Sequence, residues 1–450
     1  MRLKAFFASL SLILLACGGN EKTNRPEDHA ARVKHPEWSK TAVIYEANIR
    51  QHTPEGTFNA FAKEIPRLKA MGIDIVWLMP IHPIGAKNRK GSLGSYYSIK
   101  DYTAINPEFG TEVEFRHLVN TIHAHDMKVI IDWVANHTAW DHSWTETHPE
   151  YYNRTESGEF QPPVADWEDV IDLDYNNEEL RKEMLNAMKY WVNEFDIDGY
   201  RCDVAGMVPI DFWNTVRAEL DAIKPVFMLA EGEEPELHEE AFDMTYSWEL
   251  MHLMRRVASG EESPEAIKAM YKKDFERYPK GYYKMNIITN HDENSWNGTA
   301  EEFFGEGQEA WFVFAATTYG MPLVYSGQEA NNTKRLEFFE KDSIDWSRGY
   351  VFSNLYKTLF QLKEDNPALW NGEFGGSLEW IETSANESVL AYRRKKGEHE
   401  VVVFINIQGQ PITLTFEEEL GAMRNVMDNI ETVVSGELSL PPNGFKVFAK

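Results

Sequence analysis

In the stretch DGYRCDVAG, residues 198–206, an arginine and an aspartate stand two positions apart within a run of strand-like residues. Side chains alternate along a strand, so Arg201 and Asp203 point one way and Cys202 the other. A buried Arg–Asp pair costs desolvation free energy and is weak evidence for stability. Two readings fit this stretch alone: a structural ion pair, or a carboxylate kept ionised by its guanidinium, as a nucleophile requires. Three other stretches carry comparable side chains. DWVANH supplies Asp132, Asn136 and His137; LAEGE supplies Glu231; ITNHDE supplies Asn290, His291 and Asp292.

The elements that would hold these residues follow from the hydrophobic pattern. From about residue 41, short β-rich runs alternate with amphipathic helical stretches: TAVIYEANIRQ, IDIVWLMPI, MKVIIDWVANH, IDGYRCDVA, VFMLAEGE, MTYSWE, YYKMNIITNHD and MPLVYSGQE read as strands. Near-continuous apolar strands joined by helices indicate a parallel sheet covered on both faces. Eight such units predict an α/β fold, a (β/α)8 TIM barrel over residues 41–371 with a short insert at 138–170 after the third strand. An open doubly wound sheet is disfavoured, because no glycine-rich phosphate loop follows the first strand. Beyond residue 372 the helical rhythm stops. Residues 372–450 read as alternating strands with turn residues, hence a C-terminal antiparallel β-sandwich.

In such a barrel, function gathers at the C-terminal ends of the strands. Asp203, Glu231 and Asp292 then converge on one mouth from three strands, with Arg201 and two histidines beside them. Two chemistries fit. Metal-assisted hydrolysis would use His137, His291 and carboxylates as ligands. Against it, each histidine follows an asparagine, with no paired-histidine spacing. Glycoside hydrolysis needs two carboxylates in different environments, one ionised and one protonated. Asp203 beside Arg201 is expected to stay ionised, and Glu231 in a more apolar run to hold its proton.

Composition narrows the partners. A formal net charge of −27 argues against nucleic-acid binding. The 14 tryptophans and 19 tyrosines permit stacking surfaces for sugar rings, although most such residues pack in cores. The N-terminus, MRLKAFFASLSLILLACGGN, has a basic start and an apolar run too short for a comfortable membrane span. It resembles a bacterial lipoprotein signal, residues 1–17, with lipid on Cys17. Residues 18–40 are expected to be a tether. The chain would then be exported and held to the membrane of the cell envelope by its N-terminal lipid, with Cys202 unpaired and buried. The sequence sets no oligomeric state.

Together, DWVANH, GYRCDVA, LAEGE and ITNHDE resemble, in order, the four catalytic motifs of the alpha-amylase family of glycoside hydrolases. VIDLDYNN and GMPLVYSGQE are similar to two further family motifs, and SYYSIKDYTAINPEFGT to its segment after the second strand. The resemblance implies a retaining mechanism with Asp203 as nucleophile, Glu231 as general acid/base and Asp292 as the third carboxylate. It also implies that Arg201 orients Asp203, that His137 and His291 bind the reacting sugar, that Tyr97 stacks beneath it, and that Asp132 supports the site from within the barrel. The substrate would be an α-glucan such as starch or maltooligosaccharide, with no cofactor in the chemistry. Neopullulanase, cyclomaltodextrinase, α-1,6-glucosidase and transglycosylase activities of the same family stay open, as does a noncatalytic glucan binder. Where many members carry a Lys-His pair after the nucleophile, this chain has Gly206-Met207. The resemblance leaves room for a structural calcium at Asn136, and for product-side contacts from Trp140, Trp144 or Trp167.

Overall fold

Short apolar runs with no polar face must be covered on both sides, and here a closed ring of parallel strands provides that cover. The computed structural model describes residues 33–450. In chain order the first ten strands are β1 (Ile44–Ala47), β2 (Ile75–Leu78), β3 (Lys128–Trp133), β4 (His137–Ala139), β5 (Val170–Asp172), β6 (Gly199–Cys202), β7 (Phe227–Ala230), β8 (Met244–Tyr246), β9 (Tyr283–Asn286) and β10 (Met321–Tyr325). Eight of them close a barrel in the order β1-β2-β3-β6-β7-β8-β9-β10, with β10 returning to β1 in the register Ile44↔Leu323. The eight-unit expectation therefore matches the fold, although the strands are shorter than the apolar runs. In YYKMNIITNHD only Tyr283–Asn286 is strand, and Asp292 sits in the turn that opens a π-helical segment at Glu293–Asn297.

The helices follow their sequence signals. Glu112–Ala124 starts at a capping box in which Thr111 and Glu114 satisfy each other's backbone amides. Glu178–Phe195 is capped by Asn177 and buries Leu180, Met184, Met188, Trp191 and Phe195 along one face. It ends at Asp196 in a left-handed conformation. Gly199 then starts β6 at φ 149°, where a Cβ would lie 1.9 Å from the Phe227 carbonyl oxygen. Only glycine allows β6 to pair this closely with β7, and that pairing sets the height of Arg201 and Asp203.

The insert leaves the barrel through β4 and returns through β5, an antiparallel pair in the register His137↔Asp172. The C-terminal region contains β11 (Ser377–Trp380), β12 (Val389–Lys396), β13 (His399–Asn406), β14 (Ile412–Thr415), β15 (Gly421–Asn425), β16 (Ile430–Val434), β17 (Glu437–Leu440) and β18 (Phe445–Ala449). Six of these form an antiparallel sheet, and β14 pairs with β17 across a separate core that includes Phe404, Leu414 and Phe448. The helix Gln308–Thr317 is buried at every position but Glu309. It lies between barrel and sheet, where Thr317 Oγ1 is 2.7 Å from the Tyr392 hydroxyl and Phe314 packs on the Tyr392 ring.

The N-terminal tether expected over 18–40 needs correction at its end. Residues 33–40 pack against the barrel near the strand starts. His35 is buried, with Nδ1 2.9 Å from Asp243 Oδ1 and its ring stacked on Tyr283. Lys34 offers its carbonyl to Arg217, and Trp38 packs on Phe227. The polar composition of this stretch hides two aromatic anchors that only the assembled barrel can receive. Cys17 and residues 1–32 lie outside the described residues.

Candidate active site

Asp203 and Glu231 are each the first residue past a barrel strand. Both continue the ladder: Asp203 N–H donates to the Trp133 carbonyl and Glu231 N–H to that of Cys202, each at 2.9 Å. This geometry delivers two carboxylates to the same rim. Beneath them lies Arg201, with no exposed surface. Its Nη1 is 2.9 Å from Asp132 Oδ1 and 3.0 Å from Asp203 Oδ1, and its Nε donates to the Tyr246 hydroxyl at 3.2 Å. Its Nη2 is 2.9 Å from Glu231 Oε2, close enough for an ion pair but off the line of a hydrogen bond. One guanidinium thus serves three carboxylates from three strands. Glu231 Oε2 also accepts the Val204 N–H at 2.8 Å. Val204 holds the left-handed conformation at φ 37°, an uncommon one for a β-branched residue.

A second charge centre faces the first. His291 Nδ1 pairs with the buried Glu46 carboxylate of β1, while Nε2 lies 3.3 Å from Asp292 Oδ1 and 2.8 Å from the Tyr97 hydroxyl. Burial works against protonation of His291, but the charges of Asp292 and Glu46 outweigh it and hold the ring well above the usual histidine range. Burial likewise opposes ionisation of Asp292, yet His291 draws that carboxyl below its ordinary value. The Tyr97 hydroxyl donates to Asp132 Oδ2 at 3.0 Å, and the Trp77 indole donates to the same oxygen at 3.2 Å. Asp132 therefore supports the floor from within the barrel. Burial raises its carboxyl, against the opposing charge of Arg201.

The surroundings of Asp203 are less one-sided than its neighbouring arginine suggests. Burial first, and the charge of Glu231 second, push the Asp203 carboxyl well up, and the pull of Arg201 does not cancel them. Five acids (Glu46, Asp132, Asp203, Glu231 and Asp292) share two cations, Arg201 and His291. Like charges this close raise one another's carboxyls, and Arg201 offsets only part of that at Asp203. Sequence reasoning counted the adjacent arginine and could not see that it divides its charge among three acids.

Asp203, Glu231, Asp292, Tyr97, His137 and His291 all line one cleft of about 600 Å³. Trp167 also lines it, beside His137 at a ring distance of 5.5 Å. Trp144 instead packs between Tyr102, His142 and Tyr151, and Trp140 lies on a different cavity. The Tyr97 ring lies nearly parallel to Phe338 at 6.2 Å. Trp296, Phe338 and Phe339 complete an aromatic wall that sequence reasoning missed. The adjacent Phe338-Phe339 doublet in a polar loop was the available signal. Glu46 and Tyr246 were also missed, since each is a single polar residue inside a buried strand.

Asn136, the residue at which a structural calcium was expected, stands immediately before β4 where the insert leaves the barrel. Its side-chain amide donates to His137 Nδ1 at 3.3 Å, and its carbonyl accepts from Leu173 N–H. The facing acid of the insert, Asp172, is bound by Asn153 at 2.7 Å. Among the described residues no group of three or more histidine, cysteine, aspartate or glutamate side chains is arranged to hold a metal ion. The Asn136 amide fixes the tautomer of His137, whose burial lowers its pKa to about 3 and keeps the ring neutral.

Comparison with known proteins agrees with this arrangement. The sequence model described as "Alpha amylase, catalytic domain" matches residues 31–167 and 164–386. A noncanonic maltogenic alpha-amylase, AmyB of Thermotoga neapolitana, superposes with a TM-score of 0.83 at 32% identity, over 92% of this chain and 99% of that one. An alpha-amylase of Lactobacillus plantarum gives 0.83 at 29% identity, with the same coverage of both chains. Alpha-amylase MalA of Haloarcula japonica is 25% identical over 395 residues, which span 84% of this chain but 57% of that longer protein. With the family's catalytic domain matched over most of its length, and its carboxylates gathered at the barrel mouth, the chain belongs to the alpha-amylase family of glycoside hydrolases.

Proposed function

We propose that the protein hydrolyses α-1,4-glucosidic bonds of starch and maltooligosaccharides with retention of anomeric configuration. The observation that carries this reading is the sharing of one buried guanidinium by Asp203 and Glu231 on the wall of an aromatic cleft. Asp203 attacks the anomeric carbon while Glu231 gives its proton to the departing glycosidic oxygen. The glycosyl-enzyme ester is then cleaved by a water that Glu231 deprotonates. Attack requires the ionised form of Asp203, which Arg201 supports at 3.0 Å and which the positive charge developing at the anomeric carbon favours in the transition state. Asp292 and protonated His291 bind sugar hydroxyls, neutral His137 donates to them, and Tyr97 stacks beneath the ring. Names of relatives support a glucan substrate; these include a cyclomaltodextrinase of Thermoanaerobacter pseudethanolicus and a maltogenic alpha-amylase of Bacillus acidopullulyticus. We further propose export and lipid attachment at Cys17, supported by the N-terminal sequence alone.

The test separates the two carboxylates. Asp203→Ala should abolish turnover of every substrate. Glu231→Gln should cost roughly 10²–10⁴-fold on maltooligosaccharides, whose leaving groups need protonation. On α-glucosyl fluoride, whose leaving group does not, the same variant should still form glycosyl-enzyme and accumulate it. Equal loss of the first step on both substrates would refute the assignment. A product profile on starch, pullulan and cyclodextrins fixes the linkage and ring preference.

A further inference from the structure

The insert has two sides. Through Val170 and His137 it lines the catalytic cleft, while on the other side Trp140, one residue beyond β4, borders a second cavity of about 630 Å³. The two cavities share no lining residue. We propose that this second cavity is a glucan-binding site that holds part of a long chain whose other part occupies the cleft; the identity of the ligand rests on the proposed function.

Three observations carry the proposal. The first is a fixed aromatic platform. The Trp140 indole N–H donates to the Glu168 carbonyl at 2.9 Å, which pins the ring, and Phe160 closes one edge at a centroid distance of 6.5 Å. Arg154 stacks on the Phe160 ring at 4.4 Å, which leaves Trp140 as the larger aromatic surface of the cavity. Sugar rings present C–H faces that pack on such a surface. The second is the state of that face. Trp140 is partly buried against the core, and the Lys87 ammonium stands over its ring, 5.4 Å from the centroid; among the described residues Lys87 makes no ion pair that would hold it there. A flexible, exposed lysine is readily displaced and then donates to hydroxyls at the sugar's edge.

The third is the charge of the rim. In a chain of net charge −27, the rim sets Lys87 and Lys100 against Asp101, Asp141 and Glu146. Asp141 is neutralised by Lys100 at 3.0 Å and by the Ala86 amide. Glu146 makes no hydrogen bond through its carboxylate among the described residues. This near balance, with donors and acceptors interleaved, matches a neutral polyhydroxy ligand and repels neither end of it. An anionic polymer would meet the acids, and a cation would meet the lysines. A chain held at both sites gains from effective concentration, so the benefit should grow with chain length.

The test uses the full chain. In the Asp203→Ala background, in which turnover is abolished, calorimetric titration with maltotriose should give two molecules bound per chain, and adding Trp140→Ala should give one. In the otherwise wild-type enzyme, Trp140→Ala should change maltotriose turnover by less than about twofold and slow soluble starch by about three- to tenfold. One molecule bound with Trp140 present, or a second event weaker than about 10 mM, overturns the site. An equal loss on both substrates overturns it too, since Trp140 would then serve the cleft. Should Trp140→Ala fail to fold, Trp140→Phe keeps a smaller ring and should retain two binding events with the second weakened; a single unchanged event overturns the proposal. If wild-type protein hydrolyses no α-glucan, the proposed function falls, whereas hydrolysis with one maltotriose bound removes the second site alone.

Discussion

Replacing Arg201 with lysine keeps the positive charge and destroys its geometry. The guanidinium meets Asp132 and Asp203 through Nη1, Glu231 through Nη2 and the Tyr246 hydroxyl through Nε, at 2.9–3.2 Å. A lysine ammonium is a compact point charge on a flexible stem and cannot span three carboxylates set around a planar fork. It will keep the nearest acid and release the others. Hydrogen bonds to charged groups contribute about 1.5–3 kcal/mol each, so losing those to Asp203 and the Tyr246 hydroxyl removes about 3–6 kcal/mol. If that support serves the transition state, kcat/KM falls about 10²–10⁴-fold. The pH dependence gives a second readout. Burial and Glu231 already raise Asp203, and Arg201 is the main opposing charge. Without the fork Asp203 rises further, so the acid limb of kcat/KM should move to higher pH. Stability follows the same sign. A raised carboxyl contributes fully below its unfolded pKa, and that contribution is lost as pH climbs through the folded value. Arg201→Lys should therefore go on losing stability to urea up to a higher pH than wild type. Steady-state kinetics across pH and urea melts at several pH values measure both effects. A variant within threefold of wild type with an unmoved acid limb would refute the shared-guanidinium argument.

Glu46→Gln removes one of the two anions that keep His291 protonated. Activity should fall more at alkaline than at acidic pH, and a loss uniform across the pH–rate profile would count against this role. Gly199→Ala places a Cβ 1.9 Å from the Phe227 carbonyl oxygen at a φ unsuited to alanine, so β6 must shift; stability should drop by more than about 4 kcal/mol, checked by soluble yield and denaturant melts. Cys17→Ser should move the protein from the membrane to the soluble fraction or stall its processing, and unchanged fractionation would exclude the lipid anchor.

The sequence by itself determined the order of strands and helices and which acids stand at strand ends, because hydrophobic period and capping are local properties. Asp203 and Glu231 fall one residue past β6 and β7 for that reason. The pairing of Arg201 with Asp203 was legible too, since alternation along a strand puts residues two apart on one side. Tertiary structure alone decided the rest. Arg201 reaches Asp132 and Glu231, which lie 69 and 30 positions away, so the share of its charge left for Asp203 could not be read locally. The upward push on the Asp203 carboxyl was not legible because burial and repulsion sum over the whole barrel mouth, whatever residue stands next in sequence. Glu46 became a partner of His291 only when β1 closed the ring against β10. His35 and Trp38, polar or isolated along the chain, became anchors only once the barrel offered Asp243 and Phe227 to receive them. Electrostatic coupling and packing depend on distance in space, and chain closure sets that distance.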